Sequence, residues 1–357
     1  MNERSGRAVS VSNFSPALSS AFPSRAVGIT TTVPMEILYA AGRVPVDLNN
    51  RFITSPQAPI LVEQAEYAGF PRSMCSWVKG IYSTVHMLNI RTVVGVVQGD
   101  CSNTRALMEV LRSEGIQTIE FSFPYDRDPN ALRTELERLA SRLGTNLRAA
   151  EDMKVRLDRI RRKIDKLDEL TWTTHQVGGE ENHLWQIQCS DFGGDPDTFE
   201  RELDIFLDNA LTRPARQLSP RLAFIGIPPI CSDLYKVVQA SGAGIVFNEM
   251  QRQFAMPYRT ASLVEQYRRY TYPYDIFFRL EDIIQECEKR RVDGAVHYVQ
   301  SFCFRQIHDR MVRESLKRPI LTLECDRPGP LEARNRTRLE AFLEMLRERN
   351  VCGRVCK

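Results

Sequence analysis

Apolar residues along the chain fall into a repeated rhythm of short β-branched runs and longer stretches with helical spacing. PMEILYAAGRVPVDL (34–48) begins with Pro34 at a first helical position and reaches Gly42, which predicts a short helix followed by a strand. RTVVGVVQGDCSNTRALMEVLRSEGIQTIEFSFP (91–124) predicts a strand, a turn, a helix stopped at Gly115 and a second strand, which is one βαβ unit. The rhythm recurs at 221–250, where a strand runs into a Gly-Pro-Pro turn, a helix stops at Gly242 and another strand begins. It recurs again at 293–326, with a last strand introduced by Pro319. Apolar strands alternating with helices imply parallel sheets covered on both faces.

Between the first and second units the spacing changes. Ala150, Met153, Leu157, Ile160, Ile164 and Leu167 follow a 3-4-3-4-3 pattern, the stripe of one long helix packed on its own domain or, as the alternative, on another domain or subunit. DPDTFERELDIFLDNAL (195–211), after Gly193 and Gly194, predicts a second helix, and the Pro-containing RPARQLSP near 215–221 marks a boundary. The expected fold class is α/β: two doubly wound parallel-sheet, Rossmann-like domains joined by a helical connector. The expected limits are a disordered tail over 1–26, an N-terminal α/β domain over 27–146, a connector over 147–218, a C-terminal α/β domain over 219–346 and a tail over 347–357.

At 357 residues the chain has room for two cores without covalent staples. Its 48 basic and 45 acidic residues nearly cancel, leaving net charge +3 and no broad basic field for nucleic acid; RLDRIRRK (156–163) is interleaved with acids and reads as a solvated helix face. No apolar run approaches a membrane helix, and the Ser-rich, basic start has no signal-peptide core. Nine cysteines, an odd number, fit reduced thiols and a cytoplasmic location.

The cysteines carry the candidate chemistry. Open parallel sheets bind ligands beyond the carboxyl ends of their strands, and helix starts there favour a thiolate. Cys101, Cys231 and Cys303 lie in such turns, and Cys75 precedes the amphipathic SWVKGIYSTVHMLN (76–89). Thiolates suit iron–sulfur clusters, zinc or copper(I), but no CxxC pair or compact ferredoxin spacing occurs, so packing cysteines remain an alternative for each residue taken singly. Cys189, Cys287 and Cys325 lack the pattern and read as packing residues. His308, five positions beyond Cys303, is a candidate second-layer group or proton donor. Asp100 is expected to turn to the backbone, Trp77 to pack in the core, His86 to pack or cap, and RNRTR (334–338) to pair with surface acids or, as the alternative, to bind an acidic group of a ligand. There is no GxxxxGK[ST], GxGxxG after a strand, or GxSxG, which argues against a P-loop, a dinucleotide fold or a nucleophile elbow.

Four segments together carry a resemblance: CSWVKG (75–80), VVGVVQGDCSNT (93–104), VQSFC (299–303) and LTLECDRPGPLEARNRTRLEAFLEML (321–346). They resemble the 2-hydroxyacyl-CoA dehydratase D-component family, which includes benzoyl-CoA reductase subunits, over roughly residues 27–346. The resemblance implies that Cys75, Cys101 and Cys303 hold a 4Fe-4S cluster with one iron left open and sets Cys231 aside, which its strand-end position alone keeps as the weaker alternative ligand. It implies an oxygen-sensitive subunit, in a homodimer or a heterodimer with a related subunit, that receives low-potential electrons from a separate ATP-hydrolysing iron–sulfur activator. Radical dehydration of a 2-hydroxyacyl-CoA is the implied reaction. GDCSNT and CSDFGGDPDTFE (189–200) also resemble the double-cubane branch, in which a homodimer shares a larger cluster and reduces small molecules. A non-catalytic electron-relay subunit is a third expectation.

Overall fold

The computed structural model describes residues 24–301 and 303–355; most of the expected N-terminal tail, and the side chains of Cys352 and Cys356, lie outside it. Among these described residues, eight strands form two sheets. The first contains β1 (Ala26–Ile29), β2 (Val44–Asp47), β3 (Thr92–Gln98) and β4 (Gln117–Ser122) in the order β2-β1-β3-β4. The second contains β5 (Arg221–Ile225), β6 (Gly244–Asn248), β7 (Gly294–Val299) and β8 (Ile320–Glu324) in the order β6-β5-β7-β8. Every pairing is parallel. The α/β class and two Rossmann-like sheets read from the sequence are therefore what the chain forms.

The two orders are the same permutation. In each half the chain steps from its first strand to one side, then returns to the other side, so the order reverses between β1 and β3 and between β5 and β7. Such a reversal opens a crevice at the carboxyl ends of the strands, because the connections leave in opposite directions. The loops after β3 and β7 carry Cys101 and Cys303 into these two crevices.

Local chemistry explains the elements. The helix Met35–Ala40 ends before Gly42 at φ +65°, Ser102–Ser113 before Gly115 at +84°, and Leu234–Ala240 before Gly242 at +76°. Each glycine takes the left-handed conformation that other residues resist, and a strand begins two residues later. β7 is buried throughout because helices cover both faces. The short strand β1, AVGI, was not foreseen as a strand. The last helix runs Ala333–Val355, beyond the expected end at 346, since RERNV contains no breaker.

The long helix Leu147–Trp172 buries Ala150, Leu157, Ile160, Ile164 and Leu167 in the core that also holds Val27, Ile29 and Val94 of the first sheet, with the helix Met35–Ala40 packed against it. Packing also crosses between the halves. Leu263, Tyr267 and Tyr270 join the first sheet's core, whereas Phe52, Leu61 and Trp77 pack with Leu222, Phe224 and Val296 of the second. Buried ion pairs secure the same helix: Arg161 meets Glu36 at 2.6 Å, and Arg290 meets Glu286 at 2.7 Å and Asp168 at 2.5 Å. Removing one member of such a pair strands a buried charge, at a cost of about 3–5 kcal/mol. Packing and ion pairs thus join the two halves.

Candidate functional site

Each of Cys75, Cys101 and Cys303 is the residue immediately before a helix. Cys75 precedes Ser76–Met87, Cys101 precedes Ser102–Ser113, and Cys303 precedes the 3-10 helix Phe304–His308. All three are half-buried free thiols. They come from positions far apart in sequence, yet their charges reach one another: Cys101 and Cys303 both act on Cys75, and Cys303 acts on Cys101.

Burial pushes Cys75 up to about 11, opposed by the amides of Trp77 and Val78 and assisted by the charges of Cys101 and Cys303. Burial also raises Cys101, against the amides of Asn103 and Thr104 and with Asp100 adding to the rise. In both helices the first-turn N–H groups therefore favour thiolate without making a full capping hydrogen bond. Cys75 Sγ donates to Gln300 Oε1 at 3.1 Å, so Cys75 is linked directly to the residue after β7. Beside it, Ser76 Oγ donates to the Asp326 carbonyl at 2.5 Å, and Ser301 N–H donates to Asp326 Oδ1 at 2.7 Å.

Arg305 closes the other side. Its Nη2 donates to the Tyr272 carbonyl at 2.9 Å and the Gly99 carbonyl at 3.3 Å, and its guanidinium lies 4.1 Å from the Tyr272 ring centre. Gly99 has φ +95°, and a Cβ there would stand 2.9 Å from Pro273 Cβ, so only glycine allows this approach. Burial raises the Asp100 carboxyl, while Arg305, the Cys101 amide, Tyr272 and Thr104 lower it. The expected turn toward the backbone is thus met by the Cys101 amide, with two side chains added.

A cavity next to Cys303 is lined by Tyr272, Arg279, His297, Gln300 and Arg305. Arg279 is held by Glu249 through two 2.8 Å contacts, and His297 Nδ1 lies 2.6 Å from Asp309 Oδ1. His308 is pushed down to about 4 by burial, then by the charges of Arg279, Arg305 and His297. It is therefore neutral near pH 7, with its buried Nδ1 unpartnered. Among the described residues, no three His, Cys, Asp or Glu side chains form a single-ion metal site.

The remaining sequence candidates are placed as follows. Cys231 lies in a buried cluster on which both Cys75 and Cys325 pack, and Cys325 is the largest influence on its thiol, pushing it up. Cys189 and Cys287 are buried packing residues. Trp77 packs edge-on against Phe52 in the core, as expected. His86 is exposed, pairs with Glu114 at 2.9 Å and packs edge-on on the Tyr82 ring, so it packs as expected, at the surface. Arg336 of the RNRTR run pairs with Asp233. Sequence reasoning missed Arg305, Tyr272, His297 with Asp309, and the role of Cys325. Gln300 was visible only as a letter within VQSFC.

No individual curated protein matches the chain. A family model described as 2-hydroxyglutaryl-CoA dehydratase, D-component, matches residues 30–346, nearly the whole chain and all four segments of the resemblance, and the chain belongs to that family of dehydratase-type subunits.

Proposed function

We propose that the protein is a cluster-bearing subunit that dehydrates a 2-hydroxyacyl-CoA, with Cys75, Cys101 and Cys303 as ligands of a 4Fe-4S cluster. The observation that carries this reading is the meeting of three helix-start cysteines, drawn from both halves of the chain, within one electrostatic neighbourhood. Family membership agrees with it, since the family's own description is a dehydratase component.

The residues present fit such a group. Three soft thiolate donors are the chemistry that iron–sulfur clusters take. A single tetrahedral zinc would need its sulfur donors within about 4 Å of one another, whereas thiolates on different irons are free of that demand. Arg305 Nε and Trp77 Nε1, each two residues beyond a cysteine, are buried donors without a partner, which an anionic group would satisfy. Cys231 is not needed: its thiol is engaged with Cys325.

When bound, the cluster would supply one-electron chemistry and Lewis acidity at an iron not held by protein. The chain's own contribution is positional. Helix starts present the three sulfurs, Gln300 accepts from the Cys75 thiol, and Arg305 ties the Cys101 loop to the Cys303 loop. The Arg279, Arg305 and His297 wall beside Cys303 suits the oxygen of a thioester or hydroxyl. Electrons would come from a separate ATP-hydrolysing activator, the partner that membership of the dehydratase family implies.

The test is anaerobic purification with iron and sulfide counting, alongside Cys75→Ser, Cys101→Ser and Cys303→Ser. Wild-type protein should carry about four irons per chain, a reducible signal and, with activator and ATP, dehydration activity; each variant should lose most of the iron. A colourless wild type, or three variants with full iron, would overturn the reading. A larger cluster shared between two chains would replace it with the double-cubane reductase.

A further inference from the structure

Cys231 and Cys325 follow β5 and β8, two strands that β7 keeps apart in the sheet. Their loops nonetheless close over the end of β7. Cys231 forms an isolated parallel bridge with Gly329, and Ser232 N–H donates to the Gly329 carbonyl at 2.8 Å. Leu331 N–H donates to Asp233 Oδ1 at 2.7 Å. Tyr298, near the end of β7, donates its hydroxyl to the Cys325 carbonyl at 3.0 Å and accepts from Ile230 N–H at 3.1 Å. Main chain on both sides of the two cysteines is thereby fixed, Cys325 packs on the apolar cluster that holds Cys231, and each thiol is the largest influence on the other's proton affinity.

The pair is asymmetric. Cys325 is half-buried and Cys231 buried. The Cys231 thiol, then the Asn335 amide at 3.5 Å, pull Cys325 below its ordinary range. The same contact with Cys325, then burial, pushes Cys231 up. An accessible, lower-pKa sulfur beside a buried protonated one is the arrangement of an attacking and a resolving thiol.

We propose that Cys231 and Cys325 form a modification site, a dithiol that low-molecular-weight disulfides oxidise reversibly to an intrachain disulfide. Cys325 loses its proton to solvent and its thiolate attacks one sulfur of the small disulfide, giving a mixed disulfide and expelling a thiolate. That thiolate takes the proton of Cys231, whose sulfur attacks Cys325 Sγ and expels the second thiolate, which is protonated by solvent. Two protein thiols are oxidised and one small disulfide is reduced to two thiols, so atoms and electrons balance. The site lies one side chain from Cys75, because Gln300 Nε2 donates to the Cys325 carbonyl at 3.2 Å while its Oε1 accepts from Cys75. Any influence on a cluster rests on the function proposed above; the disulfide itself does not.

The experiment treats the full chain, purified anaerobically, with oxidised glutathione, then quenches with acid and N-ethylmaleimide and maps the peptides by mass. The expected result is a linked Cys231–Cys325 peptide with loss of alkylation at both, reversed by dithiothreitol. Cys231→Ser should trap glutathione on Cys325, and Cys325→Ser should give no linked peptide. Full alkylation of both cysteines in treated wild type, a readout that needs no variant to fold, would overturn the proposal, as would linkage only among other cysteines. Iron counted in the same samples separates the two readings: a linked peptide in iron-free protein supports the dithiol while the cluster fails, and its absence at normal iron defeats the dithiol alone.

Discussion

Cys101 and Cys303 follow the third strand of their respective halves, where the strand order reverses; Cys231 and Cys325 follow the first and last strands of the second half. Both sets occupy carboxyl ends of parallel strands, and both are near Gln300. They differ in what the sulfurs face. The thiols of Cys75, Cys101 and Cys303 meet as like charges and backbone amides, an arrangement that leaves sulfur lone pairs for an external acceptor. The thiols of Cys231 and Cys325 act chiefly on each other. Position at a strand end thus nominates a cysteine, and its nearest sulfur or amide decides between ligand and dithiol.

The largest expected effect separates the sets outright. Replacing any of Cys75, Cys101 or Cys303 by serine should remove most bound iron, whereas Cys231→Ser and Cys325→Ser should keep wild-type iron. Iron and sulfide assays on the five variants read this directly. Loss of iron from Cys325→Ser would merge the two sets and undo the comparison.

Two strand-end glycines provide the next test. Gly99, after β3, packs on Pro273 at φ +95°; Gly226, after β5, has φ +114°, and a Cβ there would lie 2.5 Å from the Tyr298 carbonyl. Alanine at either site combines a left-handed residue with overpacking, a loss of about 2–5 kcal/mol in urea unfolding. The consequences should diverge. Gly99→Ala disturbs the carbonyl that Arg305 holds and should lower iron content, whereas Gly226→Ala displaces β7 beneath Tyr298 and should suppress the Cys231–Cys325 linkage. Equal iron loss in both variants would show that the regions are not separable.

An acid titration probes the side of the dithiol. His183 stacks on Tyr235 with ring centres 4.9 Å apart, in the helix that follows Cys231. Burial holds it down to about 3 from an ordinary 6.5, and its Nδ1 has no partner. Below pH 6.5 the unfolded chain binds a proton that the folded chain refuses, so folding stability falls as pH drops from 6.5 toward 3. The whole shift corresponds to at most about 5 kcal/mol. His183→Phe retains the stacking ring without the titration, and it should flatten this limb of a stability–pH curve measured by thermal unfolding. An unchanged acid limb would place the liability elsewhere.

How much of this was legible in the sequence depends on the range of the interaction. The βαβ units at 91–124, 221–250 and 293–326 could be read because apolar period and stop glycines are local signals, and the motif-borne cysteines could be read because their segments are contiguous. β1 was not, since four residues carry too little periodicity. The crossing of Phe52 and Trp77 into the second core, the Arg305 bridge to Gly99 and the Cys231–Cys325 contact join residues tens to hundreds of positions apart. No local pattern encodes them. Cys325 read as packing because its partner is supplied by a loop on another strand.

The smallest effect tests the link itself. Gln300 bonds to Cys75 through Oε1 and, through Nε2, to the Cys325 carbonyl and the Tyr298 hydroxyl, both at 3.2 Å. Gln300→Met keeps the volume and removes all three bonds, but the Cys325 carbonyl still accepts from Tyr298, so no acceptor is stranded there. The cost should be about 1–2 kcal/mol in urea unfolding. Because helix starts, and not Gln300, present the three sulfurs, iron content should stay near wild type, and glutathione should still link Cys231 to Cys325. What should disappear is any change in iron retention or reducible signal that oxidation of the dithiol produces in the wild type. Iron loss from the untreated variant would instead make Gln300 a positioning residue for Cys75, and the two cysteine sets would then be one site with a shared support.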